Sequence, residues 1–216
     1  MYCTVTYEPT DYMINFADQQ SKIDVFTLWD VLQDLLIPIW PKDRTTIRGV
    51  PIGDAWPLST LQKQGATSST SHIQPFHKLT QWLTYSLMVP FQRVLNLKWS
   101  NTESLTGLPE YRNGGLFIDL GALSLKKETL ERGLKASGQA LPIFDAGDDA
   151  IVEWRAMTLA LLDAVYGKVL SRVGTDLTMA QVLEAGTWKS GREIAAQRRP
   201  ETKSSPILIQ SDGTVF

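Results

Sequence analysis

The chain has 216 residues, 43% of them hydrophobic and 20% charged, which is enough to bury a sizeable core and too apolar for a disordered polymer. A formal charge of −2 gives no general attraction for nucleic acid or anionic lipid. One cysteine excludes an intrachain disulfide framework and a cysteine-based zinc site, and two histidines make a histidine-rich metal site a poor fit.

Residues 1–20 show no periodicity, and no basic start is followed by the apolar run of a signal peptide. Residues 22–37 place Val25, Phe26, Leu28, Trp29, Leu32, Leu35 and Leu36 at helical spacing, with Ser21 as the start and Pro38 as the stop. Four prolines and two glycines in residues 38–57 predict a loop of defined course. Residues 62–71 read as a polar, mobile loop, and residues 75–97 as a helix kinked at Pro90. The uncharged run 79–92 is too short to span a bilayer.

Beyond it lies Leu105-Thr106-Gly107-Leu108-Pro109-Glu110-Tyr111-Arg112-Asn113-Gly114-Gly115, read as a loop in which glycines let backbone approach a ligand. A charged helix is expected from about Lys126, then a Gly-rich loop over 136–147. Asp148 and Asp149 cap a long helix to about Val173, apolar nearly all round and therefore central, with 151–169 the most buried stretch. Thr178 caps a helix over 179–184, and another covers 188–198, with Gly186 as a C-cap between them. Ser211-Asp212-Gly213 reads as a turn. Few segments alternate with period two and none repeats. The fold class is mainly α with long ordered loops, in a soluble, cytoplasmic protein with no membrane or nucleic-acid partner.

Several polar residues stand out against this apolar frame. Glu110, Tyr111 and Arg112 supply a carboxylate, a stacking face and an anion fork side by side, unless they form a solvated turn. Lys78 and Gln81, three apart on one helix face, sit among Phe76, Leu79 and Trp82; the lysine either snorkels to water or reaches an anion. Glu153 and Arg155 interrupt the most apolar helix. Two residues apart they point different ways, which favours a network reaching into the polar loops over a local pair. Asp54 lies beside Trp56 in Gly53-Asp54-Ala55-Trp56-Pro57, as a cap, a turn residue or a functional carboxylate. Residues 185–192 look phosphate-loop-like but lack the Gly-Lys-Ser/Thr ending. No nucleophile elbow, Cys–His arrangement or dinucleotide fingerprint is present, and no metal or cofactor is expected.

Six segments occur together and in order: Gly53 to Pro57; Pro75-Phe76-His77-Lys78-Leu79-Thr80-Gln81-Trp82-Leu83-Thr84-Tyr85-Ser86-Leu87; the Glu-Tyr-Arg stretch; Val152-Glu153-Trp154-Arg155-Ala156; Val182-Leu183-Glu184-Ala185-Gly186-Thr187-Trp188; and Ser211 to Phe216. Their combination strongly resembles the uracil catabolism protein 4 family, once a domain of unknown function, from about Ile23 to Phe216. Members of that family are much longer, so residues 21–216 look like their C-terminal half, and residues 1–20 match poorly. A half-length chain is expected to leave apolar surface open and to self-associate.

A weaker resemblance joins Lys78 to Gln81, Leu105 to Arg112 and Val152 to Ala156 to the queuosine salvage nucleotide N-glycosylases, with Glu110 where that family has aspartate. It implies a helical fold similar to helical DNA glycosylases, and hydrolysis of an N-ribosidic bond in a nucleoside or nucleotide derivative. In a uracil-degrading pathway that frees urea, the implied substrate is a ribosylurea or its phosphate. Glu110, with Asp54 as the next carboxylate, would then face the developing sugar cation. Lys78, Gln81, Arg112 and Asn113 would bind substrate, while Trp56, Tyr111 and Trp82 would wall the leaving group. Glu153 and Arg155 would orient these groups from behind. The alternatives are a non-catalytic nucleotide-binding or scaffold protein of the same pathway and an inactive truncated fragment.

Overall fold

A computed structural model describes residues 22–65 and 68–211 of the chain. The expected Ser21 helix start, most of the 211–213 turn and the expectations for residues 1–20 lie outside these residues. The architecture is mainly helical, and its strands are short.

Strand β1 (Lys22–Asp24) precedes helix α1 (Val25–Leu36). The helix therefore starts later than its apolar spacing suggests, because Asp24 provides the cap: its carboxylate accepts the Phe26 N–H at 2.9 Å. A 3₁₀ turn, Ile37–Ile39, carries the chain through Pro38. The loop that follows holds a hairpin of β2 (Thr46–Ile47) and β3 (Val50–Pro51). Its two connecting residues, Arg48 and Gly49, have φ of 52° and 78°, as a type I′ turn requires.

Strand β4 (Ala55–Pro57), the short helix α2 (Ser59–Lys63) and strand β5 (Ile73–Pro75) come next, and β4 pairs antiparallel with β5. Helix α3 (Lys78–Leu95) contains Pro90, and β6 (Lys98–Ser100) then pairs in parallel with β1. Helix α4 (Tyr111–Asp119) occupies much of the stretch expected to be a loop. Helix α5 (Lys127–Ser137) follows, and β7 (Ile143–Asp145) arises inside the Gly-rich segment. That strand was illegible locally because its partner, the parallel β8 (Leu208–Gln210), is remote in sequence.

Helix α6 (Asp149–Val173) begins at the expected cap, with Asp148 accepting the Ala150 N–H at 2.9 Å. Helix α7 (Met179–Val182) has a capping box between Thr178 and Gln181. A π-helical turn, Leu183–Trp188, then runs straight into α8 (Lys189–Arg198). Gly186 sits inside that turn and ends no helix.

Only the first half of α6 is deeply buried. Ile151, Val152, Trp154, Arg155, Thr158 and Leu162 are covered, whereas Met157 is 43% and Val173 56% exposed. Apolar residues on every side of its start have separate tasks. Ile151 and Trp154 join Phe144 and Ile207, Val152 meets Leu58 and Phe76, and Leu162 meets Phe117 and Leu183. A fourth cluster, Ile23, Leu28, Leu32 and Leu97, holds α1 against β6 and α3. Helix α8 packs backbone to backbone on α4, where a Cβ on Gly191 would collide with the Arg112 carbonyl.

Leu162 is 1% exposed and touches Gly107 so closely that a Cβ there would lie 2.7 Å from it. Leu162→Ala should cost about 2–5 kcal/mol, and the half-buried Leu159→Ala less. Urea denaturation of both variants checks this, and equal losses would contradict the asymmetry of α6.

Candidate functional site

The loop entering β4 delivers Asp54 into the interior, where it is 0% exposed, opposite an equally buried Arg155 on α6. Arg155 Nη1 donates to Asp54 Oδ1 and Nη2 to Oδ2, both at 2.7 Å. Oδ1 also accepts the Trp56 indole N–H at 2.7 Å, and Oδ2 the Lys78 backbone N–H at 3.0 Å. Arg155 Nε donates to the Pro109 carbonyl at 3.1 Å, and its guanidinium lies 4.1 Å from the centre of the Phe76 ring. Burial alone would push the Asp54 carboxyl up. The Arg155 charge and the hydrogen bonds from Arg155, Lys78 and Trp56 prevail and hold it below the ordinary carboxylate range. Asp54 is thus engaged on both oxygens and shielded from solvent. Arg155 has the long-range network that its helix neighbours could not supply.

This pair organises two helix starts. The Asp54 carbonyl accepts the N–H groups of Phe76 and His77 at 2.9 and 3.0 Å. His77 then turns into α3 through a left-handed conformation, φ 46°, a strain of about 1–3 kcal/mol for a side-chain-bearing residue. Its ring meets Trp29 edge-on, with centroids 6.2 Å apart. At the second start, Glu110 caps α4: its carboxylate accepts the N–H of Arg112 at 2.8 Å and of Asn113 at 2.5 Å.

Glu110 is 7% exposed. Burial pushes its carboxyl up, opposed by the two backbone N–H groups and by the charges of Lys78 and Arg112. Burial likewise pushes the Lys78 ammonium down, while the Glu110 charge pulls it back. The structure therefore brings together Asp54, Lys78, Glu110 and Arg155, which the sequence scatters over a hundred residues. Gln81 joins them, its Oε1 accepting the Thr106 N–H at 3.3 Å.

The other expected site residues are placed differently. Asn113 is fully buried, with Nδ2 donating to the Leu108 carbonyl at 3.0 Å. Tyr111 packs against the cluster around Trp154, with the Arg112 guanidinium 4.6 Å from its ring centre. Arg112 itself donates to the Lys203 carbonyl at 2.8 Å. Gly114 serves packing: a Cβ there would lie 2.8 Å from the Trp154 indole, whose N–H donates to the Gly114 carbonyl. Trp82 is 50% exposed. Glu153 is half-buried and forms no ion pair among the described residues.

Two cavities adjoin this network. The larger, about 490 Å³, is lined by Arg44, Trp56, Asp145 and Gly147 among others. The smaller, about 140 Å³, lies between α1 and α3 and is lined by Phe26, Trp29, Gln81, Ser104 and Leu105. The sequence reading took Trp29 only as an apolar position of α1, because an aromatic at helical spacing reads as core. No group of three His, Cys, Asp or Glu side chains among the described residues is placed to hold a metal, and no described helix is long and apolar enough to cross a membrane.

The family described as "Protein of unknown function (DUF1688)" matches residues 7–216, reaching into the segment before α1. The chain belongs to this family. It is 50% identical over 204 residues to Protein urg3 of Schizosaccharomyces pombe, covering 93% of this chain and 46% of that protein. It is 46% identical over 202 residues to Uracil catabolism protein 4 of Lachancea kluyveri, covering 90% of this chain and 46% of that protein. The chain thus spans about half the length of these relatives. No solved structure matches it, and the likeness to helical DNA glycosylases rests on sequence motifs alone.

Arg155→Met would leave the Asp54 charge buried without its partner and should cost about 3–5 kcal/mol. Asp54→Asn should also destabilise at neutral pH. Because the folded Asp54 carboxyl lies below its ordinary 3.8, its stabilisation is fully present above that value and is lost as pH falls through the folded value. The gap between Asp54→Asn and the parent should therefore narrow below pH 3.8, as thermal melts across pH would register.

Proposed function

We propose that this chain acts in uracil breakdown as a hydrolase of the N-ribosidic bond of a ribosylurea or its 5′-phosphate. The observation that carries this reading is the junction of two helix starts, bolted together by Asp54 and Arg155, that carries the buried Glu110 carboxylate and the half-buried Lys78 ammonium. The printed name of the Lachancea relative, Uracil catabolism protein 4, supplies the pathway.

Cleavage of the C1′–N bond builds positive charge on the ribose ring. The Glu110 carboxylate, in a poorly solvated setting, stabilises that charge and takes a proton from the attacking water. The new bond joins water oxygen to C1′, the bonding pair leaves with the urea nitrogen, and that nitrogen takes up a proton to give urea and ribose. Lys78 binds the sugar hydroxyls or phosphate.

A second reading, a binding module without turnover, is favoured by one observation: both Glu110 oxygens already accept backbone N–H groups. Urea release from ribosylurea by the purified chain supports the enzyme, and saturable binding without release supports the module.

Glu110→Gln should lower urea release by about a hundredfold or more while retaining binding, and full activity would remove Glu110 from the reaction. Lys78→Met should weaken binding, more for the 5′-phosphate than for ribosylurea.

The pH profile follows from the two shifts. Glu110 must be ionised and its folded carboxyl is raised, so the acid limb of kcat/KM lies above 4.5. Lys78 must be protonated and its ammonium is lowered, so the alkaline limb lies below 10.5 and disappears in Lys78→Met.

A further inference from the structure

We propose that the cavity between α1 and the first turn of α3 seats a planar ureido group, with Trp29 as its stacking wall and Gln81 as its hydrogen-bonding partner. The choice of ligand rests on the hydrolytic reading above, whereas the existence of the site rests on the cavity.

At about 140 Å³ the cavity is close to the roughly 150 Å³ that admits a benzene-sized molecule. It takes one small planar group and excludes a whole nucleoside, so an attached sugar must lie outside it. The neighbourhood accommodates that arrangement. Gln81 stands three positions along α3 from Lys78, on an adjoining part of the same face. Leu105 lies five residues before Glu110 on the segment that leads to it. A ureido group seated there would leave its attached sugar outside the cavity, near the stretch of α3 that begins at Lys78.

The lining has the chemistry such a group requires. Phe26 and Trp29 bring aromatic faces, and Phe26 remains 49% exposed although it lies on a packed helix. Gln81 is 6% exposed, and its Oε1 is held by the Thr106 N–H. Its Nε2 donates to no acceptor among the described residues and is available to a ureido carbonyl. Ser104 adds a hydroxyl at the rim. Beside this wall, His77 packs edge-on against Trp29, and its buried Nδ1 has no hydrogen-bond partner among the described residues.

Of the tryptophans that the sequence suggested as walls, Trp56 lies at the other cavity and Trp82 is half exposed. The Arg44 guanidinium lies 4.7 Å from the Trp56 ring centre, and a Cβ on Gly147 would come within 3.0 Å of that ring. Trp82 does not line the cavity.

Titration calorimetry on the purified chain with uracil, ribosylurea and ribose 5-phosphate tests the assignment. Trp29→Ala and Gln81→Met should each weaken uracil and ribosylurea about tenfold, the scale of losing one stacking or polar partner, with ribose 5-phosphate unchanged. Ser104→Phe, at an exposed position, should fill the cavity and produce the same loss without disturbing the core. Tighter binding of ribosylurea assigns the cavity to an open-chain urea, and tighter binding of uracil assigns it to a ring. The proposal is overturned if all three variants, folded by circular dichroism, bind uracil and ribosylurea like the parent, or if the parent binds neither. Binding that responds to the variants without urea release would sink hydrolysis and leave the cavity assignment standing.

Discussion

The bidentate pair between Asp54 and Arg155 is the contact on which the remaining geometry depends. Two side chains 101 residues apart meet at 2.7 Å in a dry interior. Removing each charge from water costs several kcal/mol, and such a pair breaks even only when its geometry is good and its other polar atoms are satisfied. Both conditions hold here: Trp56 and Lys78 complete the carboxylate, and Pro109 and Phe76 complete the guanidinium. Because the fork has one good geometry, it fixes the entry to β4, the start of α3 and the approach to α4 relative to the central helix.

Three departures from local preference gather at that junction. His77 adopts a left-handed conformation. Lys78 places a half-buried cation at the first position of a helix, against the macrodipole. Glu110 buries a carboxylate. The last is compensated by the N–H groups it caps, and Lys78 is compensated by Glu110 in turn. A chain under selection for stability alone has simpler ways to start two helices, and residues that break local rules together cluster where chemistry or binding occurs.

The scaffold holds this junction from the opposite side. Gly191 lets α8 lie against the backbone of α4 at Arg112, and the Arg199 fork on Asp119, at 2.8 and 2.5 Å, fixes the other end of α4. Helix α4 is therefore gripped at both ends, which keeps Glu110 in one place. The outer side of α3 contrasts with this, leaving Trp82, Val89 and Val94 exposed in a chain about half as long as its relatives.

The sequence by itself determined the mainly helical class, the start of α6 at Asp148, the cap at Thr178 and the family. These depend on apolar spacing, capping chemistry and motif order, all readable within a few residues. It also marked Asp54, Lys78, Glu110 and Arg155 as unusual, since charged residues amid apolar runs need a partner. Their partners were decided only by the tertiary structure. Arg155 could have paired with any carboxylate, and the fold chose Asp54. Glu110 looked like part of a loop because a cap becomes visible only when the helix behind it is anchored, here by α8. The strands β7 and β8 and the cavity walled by Trp29 were hidden for the same reason. Each is formed by segments far apart in the chain, and no local pattern encodes a contact whose other half lies 65 residues away.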